Sequence, residues 1–271
     1  VAKQRAGRPV TGLRSKLFAA AVLAVVALFV LAILALIVAD VFYIDLDSAT
    51  EVLRSPEIRA AIWLSLWTSA LTAVIGVLFA APMGYALSRY RFPGHTLVDS
   101  IVDLPIILPP LVLGLSLLVF FQTRPGRWIE ATGLTFVYET RGIVLCQFLV
   151  SASFGIRAAK VAFDGVDRRM EHVAMTLGCT RAGAFSRVAL PLASGGLVAG
   201  GILIWARAFG IFGPLMVFVG AVRMRTEVLP TTVYLEQSVG RIEVALAVAL
   251  LMLILATAAL VLIRSAYRRW L

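Results

Sequence analysis

The sequence predicts an all-α integral membrane protein with about six transmembrane helices. Three observations carry that expectation. The chain of 271 residues is 61% hydrophobic and only 15% charged, where a soluble domain uses about 25% charge to cover its surface. Its apolar residues gather into six runs, each near the roughly 20 residues a helix needs to cross hydrocarbon. Nearly all of its 25 Lys and Arg residues sit in short segments outside those runs, the arrangement that orients membrane proteins. The net charge of +10 therefore does not point to nucleic acid, whose binders concentrate basic residues on one face.

The first run, residues 17–38, follows Lys3, Arg5, Arg8, Arg14 and Lys16 and leads into Asp40, Asp45, Asp47, Glu51 and Glu57. A cleaved signal has a shorter apolar region and a small-residue cleavage site. An uncleaved first helix over 17–39, after a cytoplasmic tail over 1–16, is therefore expected. A core over residues 58–263 follows. Its first run, 62–87, is interrupted by Gly76, Pro82 and Gly84 and ends at Arg89, Arg91 and a Phe92-Pro93-Gly94 turn. Such breakers are tolerated in membrane helices when neighbours re-satisfy the backbone.

The third run, 97–121, contains Pro105, Pro109 and Pro110. Three prolines within six residues exclude a straight helix, so a bent segment beside a path through the membrane is expected. Asp99 and Asp103 open this run, where carboxylates favour the helix dipole. A fourth crossing over 142–159 is softened by Ser151, Ser153 and Gly155. After a polar stretch, the fifth run, 190–219, breaks near Gly210 and Pro214. The last, 244–263, precedes Arg264, Arg268 and Arg269 in a tail over 264–271.

Charge counting sets the orientation. With both termini cytoplasmic, the inside segments hold 16 of the 25 basic residues and the outside segments eight, with Arg207 inside the membrane. Ten of the 15 acidic residues fall on or beside the outside. The positive-inside rule and an even number of crossings agree on that topology.

Residues 160–189 form the one sizeable cytoplasmic stretch. Asp164 or Asp167 can cap a helix, after which Met170, Val173, Ala174 and Leu177 repeat at three- and four-residue spacing on one face. Gly178 suits a left-handed helix end. A second short helix fits 181–188, with Phe185 and Val188 apolar, and Pro191 suits the start of the next crossing. These residues alone allow either an amphipathic helix lying on the membrane or a helix–Gly–helix knob that docks into a soluble partner.

Glu171-His-Val-Ala-Met-Thr-Leu-Gly178 followed by Val188-Ala-Leu-Pro191 resembles the Glu-Ala-Ala signature of permease subunits in bacterial ABC importers. Ala174, Gly178, Val188, Leu190 and Pro191 are in register with it. His172 takes the Glu position and Val173 the first Ala, and Glu171 lies one residue early, about 100° away around a helix. Arg89-Tyr-Arg-Phe-Pro-Gly94, Asp103-Leu-Pro-Ile-Ile-Leu-Pro-Pro110 and Ala206-Arg-Ala-Phe-Gly-Ile-Phe-Gly213 resemble the molybdate, tungstate and sulfate branch of that family. There the Gly210 motif commonly continues with Glu, and this chain has Ile211.

The resemblance implies a type I ABC importer permease fold in a bacterial or archaeal inner membrane. It implies coupling to a cytoplasmic ABC ATPase dimer through Glu171, His172, Ala174, Gly178, Val188, Leu190 and Pro191. It further implies a second permease copy or close homologue, an extracytoplasmic solute-binding protein, and a small oxyanion such as molybdate, tungstate or sulfate as cargo. ATP and Mg belong to the partner. This chain has no Gly-x-x-x-x-Gly-Lys-Ser/Thr loop to cradle phosphates and no nucleophile or metal constellation. His95 and His172 are its two histidines, and Cys146 and Cys179 lack ligand spacing.

Arg207 lies some 17 residues into the fifth run. Charges there face a pathway, a partner or an interface, so Arg207, Gly210, Ile211 and Gly213, with Pro105, Pro109 and Pro110, are the candidate pathway or gate residues. The competing readings are a secondary transporter driven by an ion gradient, for which no repeat between halves is visible, and a permease of the same type for another small solute.

Overall fold

A computed structural model describes residues 13–268. Lys3, Arg5, Arg8 and Arg269 lie outside the described residues, as do the side chains of Arg14 and Arg268. Thirteen α-helices and one π turn make up the secondary structure of the described residues.

Helix α1 (Leu13–Tyr43) is exposed along its length and touches α13. A short amphipathic α2 (Leu46–Arg54) leads into α3 (Pro56–Arg89). Ser55 starts α3 by accepting the Ile58 N–H at 3.3 Å, and Pro56 stands in its first turn, where a missing N–H costs nothing. At 34 residues and 1.5 Å per residue, α3 is about 50 Å long. It therefore emerges on both sides of a hydrocarbon layer of about 30 Å.

The third apolar run is two helices, α4 (His95–Ile107) and α5 (Pro110–Gln122), meeting at 110°. Leu108 and Pro109 are extended at the corner, since neither Pro109 nor Pro110 can donate an N–H to continue the helix. Pro105 sits within α4. With this pair taken as one crossing, it and five helices long and apolar enough to span make up the expected six among the described residues.

A short α6 (Arg124–Ala131) precedes α7 (Thr140–Asp164), the most enclosed crossing. Next come α8 (Arg168–Thr176), α9 (Arg181–Ala184), a π turn (Phe185–Ala189) and α10 (Leu190–Phe209). Gly210 closes α10, and after the break come α11 (Gly213–Phe218), α12 (Leu229–Ser238) and α13 (Ile242–Arg268).

At the polar stretch, two boundaries differ from the sequence reading. Residues 160–164 are the last turn of α7 and not loop. The helix starting at Arg181 does not stop before Pro191 but runs through the π turn into α10 as one span, Arg181–Phe209. The Leu190 N–H bonds the Phe185 carbonyl, five residues back. A wider turn of this kind absorbs the donor that Pro191 lacks without breaking the rod.

The centre of the bundle is α3 packed on α7 and α10. Lipid tails are as apolar as leucine, so helices associate in a membrane through close backbone approach and interhelical hydrogen bonds. Both are present. Thr68, Thr72, Gly76, Ala80, Gly84 and Ser88 line the buried stripe of α3 at every fourth residue. A Cβ on Gly84 would lie 2.6 Å from Ala159 Cβ, and one on Gly155 would lie 2.2 Å from Ile204 Cδ1. Gln147 on α7 is the polar link: it accepts from Thr72 Oγ1 at 3.0 Å and donates to the Ala208 carbonyl at 3.1 Å. That carbonyl belongs to the last turn of α10, beyond the regular helical ladder, and also accepts the Ile211 N–H at 3.4 Å.

Candidate functional site

The segment singled out as a docking knob is built on the end of α3. Of the two capping candidates, Asp167 caps α8 by accepting the Arg169 N–H at 2.9 Å. Asp164 ends α7 and accepts from Ser88 Oγ at 2.6 Å. The far end of α8 closes as expected. Gly178 has φ +92°, its N–H bonds the Met175 carbonyl, and the Cys179 N–H bonds the Ala174 carbonyl. This double bond pattern is the Schellman closure, which requires the left-handed residue that glycine supplies most easily.

Glu171, which the resemblance implies for coupling and which lies one residue out of register with the signature, is turned inward. Its Oε1 accepts from Arg89 Nε at 2.7 Å and its Oε2 from Tyr85 Oη at 2.6 Å. Arg89 Nη2 also reaches the Val166 carbonyl at 2.8 Å, and Arg168 Nη2 reaches the Ser88 carbonyl at 2.6 Å. Tyr85 packs on Phe163 and Phe185, with ring centroids 5.3 and 4.7 Å away. The knob is thus bolted to α3, α7 and the π turn.

What α8 shows to solvent is Met170, Val173 and Leu177, the last 82% exposed, with His172 beside them and Ala174 half-buried. A cleft of about 150 Å³ opens between α3 and α8–α9, lined by Arg89, Arg168, Glu171, His172 and Arg181 among others. Val188 and Leu190 are half-buried in and after the π turn, and Pro191 is exposed.

A second polar cluster, not foreseen from the sequence as a unit, joins α4 to α7. Arg157 Nη1 donates to Asp99 Oδ1 at 2.6 Å, and its Nε donates to Asp103 Oδ1 at 2.5 Å. Its Nη2 bonds the Asp99 carbonyl at 2.6 Å. Asp99 and Asp103 do more than satisfy a helix dipole: their four-residue spacing puts both carboxylates on one face toward Arg157. That spacing, opposite an arginine at the end of an apolar run, was the available signal.

The candidate pathway residues divide. Arg207 is exposed near the end of α10, its Cζ 5.8 Å from the centre of the Phe154 ring. It makes no ion pair among the described residues. Gly210 and Pro109 are exposed, and Pro105, Pro110 and Gly213 are half-buried. Pro214 packs on Gly114 of α5, where a Cβ would come within 2.6 Å of Pro214 Cα, so the bent pair and the α10 break touch. Ile211 departs from expectation. It is 4% exposed in an apolar cluster with Leu117, Phe121, Ile143, Leu215 and Phe218. A carboxylate there would be desolvated among aliphatic and aromatic side chains, so Ile211 is a packing residue in this conformation.

The opposite end of the bundle is an ion-pair plate. Arg223 donates to Glu57 at 2.5 Å and to Glu236 at 3.1 Å. Arg241 pairs with Glu51 and stands 3.4 Å from Glu236 Oε2, and Arg225 pairs with Glu139. Glu227, between α11 and α12, is 4% exposed, and its Oε2 has no hydrogen-bond partner among the described residues. Burial holds its carboxyl above the usual range; nearby Glu57 and Glu236 add to this, and Arg223 and Thr232 oppose it.

Cys146 and Cys179 are unpaired, and Cys146 is small apolar filler in the core. No group of three or more His, Cys, Asp or Glu among the described residues is placed to hold a metal. His95 is half-buried, with Nε2 3.1 Å from the Leu87 carbonyl.

Residues 74–271 match the family model for binding-protein-dependent transport system inner membrane components. The chain is 36% identical over 192 residues to the molybdate/tungstate transport system permease protein WtpB of Thermococcus kodakarensis, covering 70% of this chain and 73% of that one. It is 36% identical over 186 residues to the molybdenum transport system permease protein ModB of Escherichia coli K12, covering 68% and 81%. The sulfate transport system permease protein CysT of E. coli K12 is 32% identical over 188 residues, covering 69% and 68%. Among solved structures, a bacterial ABC transporter involved in import of the acidic polysaccharide alginate superposes with a TM-score of 0.77 at 16% identity, over 94% of this chain and 96% of that one. The MetNI methionine ABC transporter, in inward-facing form, gives 0.60 at 20% identity over 77% and 92%.

Proposed function

This chain belongs to the family of binding-protein-dependent transport system inner membrane components, and from that premise we propose that it is the membrane-spanning permease of an ATP-driven importer for a small tetrahedral oxyanion. Molybdate, tungstate and sulfate are the cargo class, because the curated relatives at 32–36% identity carry those names. The observation that carries the coupling role is the knob itself. An exposed apolar face of α8 is held by buried ionic and aromatic contacts to the end of the longest helix in the bundle.

The end bearing α8 faces the cytoplasm in this reading, with both termini on the same side. Lys160, Arg168, Arg169, Arg181 and Arg187 gather there, as the positive-inside rule favours. A cytoplasmic ATPase dimer would hold ATP and Mg and act on the knob of each permease copy. An extracytoplasmic binding protein would deliver the anion at the opposite end.

A push on α8 has two rigid routes inward. One runs through Glu171 and Arg89 into α3, and the other through the continuous Arg181–Phe209 span to the break beside Arg207. Those routes would bias one set of alternating inward- and outward-open states, so nucleotide and delivered cargo act on the same equilibrium.

The test is co-expression with its ATPase and binding protein, followed by reconstitution in vesicles. ATP-dependent uptake of labelled molybdate or sulfate is expected only with all three components. Uptake driven by an ion gradient with no ATPase present would instead support a secondary transporter.

A further inference from the structure

The docking face of this knob carries cations and no free carboxylate. Glu171 is spent on Arg89 and Tyr85. Asp167 caps its own helix, and Asp164 is held by Ser88 and stands 4.0 Å from Lys160. Around the exposed Met170, Val173 and Leu177, the side chains of Arg169, His172 and Arg181 are exposed and find no acceptor among the described residues. The cleft at the foot of α8 sets three guanidinium groups, Arg89, Arg168 and Arg181, against the single carboxylate of Glu171. A volume of about 150 Å³ takes one small acidic group.

The geometry points to a soluble partner whose docking groove is apolar on its floor and acidic on its rim, with one Asp or Glu side chain entering the cleft beside Arg181. This rests on the importer reading: the partner is the ATPase, and the rim of its groove is negatively charged. Complementary charge across an interface sets register and partner choice, and like charge opposed across it is costly. The other anionic surface available to a basic amphipathic helix is a lipid headgroup layer. A protein is favoured because α8 is held to the end of α3 and flanks a cleft that an acidic side chain can enter. It is clamped at Arg89, beyond Leu87, the last apolar residue of α3, and presents a concave cleft.

The chain has three lysines, Lys3, Lys16 and Lys160, so an added amine makes a clean reporter. The complex of full-length permease and ATPase is placed in nanodiscs of neutral lipid, and ATPase retention is followed against salt. Wild type and Arg181→Lys are expected to hold the ATPase at low salt and release it as salt rises. Arg181→Glu is expected to bind roughly tenfold or more weakly. A zero-length carbodiimide should join the amine introduced by Arg181→Lys to an Asp or Glu of the ATPase, identified by mass spectrometry.

Retention by Arg181→Glu equal to wild type, crosslinks only within the permease, or retention that appears only with anionic lipid would each overturn the acidic-rim proposal while leaving the importer reading in place. Failure of the wild-type chain to retain any ATPase at low salt would instead sink the importer reading, and this inference with it.

Discussion

Arg89 and Glu171 lie 82 residues apart and form a buried ion pair between the α8 knob and the end of α3, Nε to Oε1 at 2.7 Å, with both side chains 8% exposed. Removing one member of a buried pair leaves the other charge unsolvated. Glu171→Ala is expected to cost about 3 kcal/mol or more. Glu171→Gln, which still offers a carbonyl oxygen, is expected to cost about 1–2 kcal/mol. Thermal unfolding of the detergent-solubilised protein should rank wild type, Gln, Ala in that order, and trypsin should cut faster at Arg168 and Arg169 in the Ala variant. Equal melting and equal cutting would show that the pair does not hold α8 in place.

Gly84 is expected to be intolerant for steric reasons and Gly94 for conformational ones. A Cβ at 84 would lie 2.8 Å from the Lys160 backbone nitrogen as well as against Ala159, so α3 and α7 would have to separate. Overpacking of this kind costs about 1–3 kcal/mol, and Gly84→Val should cost more than Gly84→Ala. Gly94 has open space around it but φ +83°, so Gly94→Ala should cost about 1–2 kcal/mol whatever the side-chain volume. Melting of the two series by size-exclusion fluorescence separates the two causes, because only the first depends on side-chain size.

Gly178 offers a third contrast. Nothing lies within 4 Å of a Cβ placed there, yet its φ is +92°. Gly178→Val should strain or open the Schellman closure and lower ATP hydrolysis coupled to transport, with membrane insertion unchanged. Comparable loss of insertion and coupling would mean that the closure serves folding alone.

Much of this architecture was legible because its signals are local. Three closely spaced prolines announce the 110° corner between α4 and α5. Gly178 announces a helix end, and Gly210 to Pro214 announce the break after α10. Pairings between distant segments carry no such signal. Arg157 meets Asp99 and Asp103 from 58 and 54 residues away, and spacing along one helix shows only that the two carboxylates share a face. Glu171 enters the coupling set through the family resemblance, and the sequence does not tell that Arg89 and Tyr85 claim its carboxylate. The burial of Ile211 is not legible either, because the chain changes direction after a break and sequence order does not say which side faces inward. The π turn before Pro191 has no distinctive composition, and only its hydrogen bond reveals it.

The opposite end of the bundle should respond to pH through Glu227. Burial raises the pKa of this carboxyl above its ordinary 4.5, so the folded state holds the proton more tightly than the unfolded chain. Its stabilising contribution is therefore complete below the ordinary value and is lost as pH rises through the raised one. Melting temperature should fall across a window that begins above pH 4.5, and Glu227→Gln should flatten that fall. Glu57 and Glu236 face the same space and are tied to Arg223, with Arg241 beside Glu236. Glu236→Gln serves as the comparison: if it flattens the profile and Glu227→Gln does not, the titrating group has been misidentified.

Arg207 is the remaining charge within an apolar run whose cost needs an explanation. On insertion scales an arginine at mid-membrane costs about 2.5–3.5 kcal/mol, and the Phe154 ring at 5.8 Å returns only about 0.5–1 kcal/mol at an exposed site. Ile211, in the place where the resembled branch often has Glu, supplies no counter-charge and faces the core. A wet path shared with a second permease copy would lower the cost and give a passing anion a favourable field. The exposed position beside the Gly210 break suits that role. Arg207→Ala and Arg207→Met should both insert and assemble normally yet change the rate of anion uptake or of basal ATP hydrolysis, with Met testing whether bulk alone suffices. Phe154→Leu, which removes the ring but not the charge, should shift the rate less than either. If both arginine variants transport at the wild-type rate in vesicles, with ATP hydrolysis still stimulated by the loaded binding protein, Arg207 anchors the helix at the interface and takes no part in the gate.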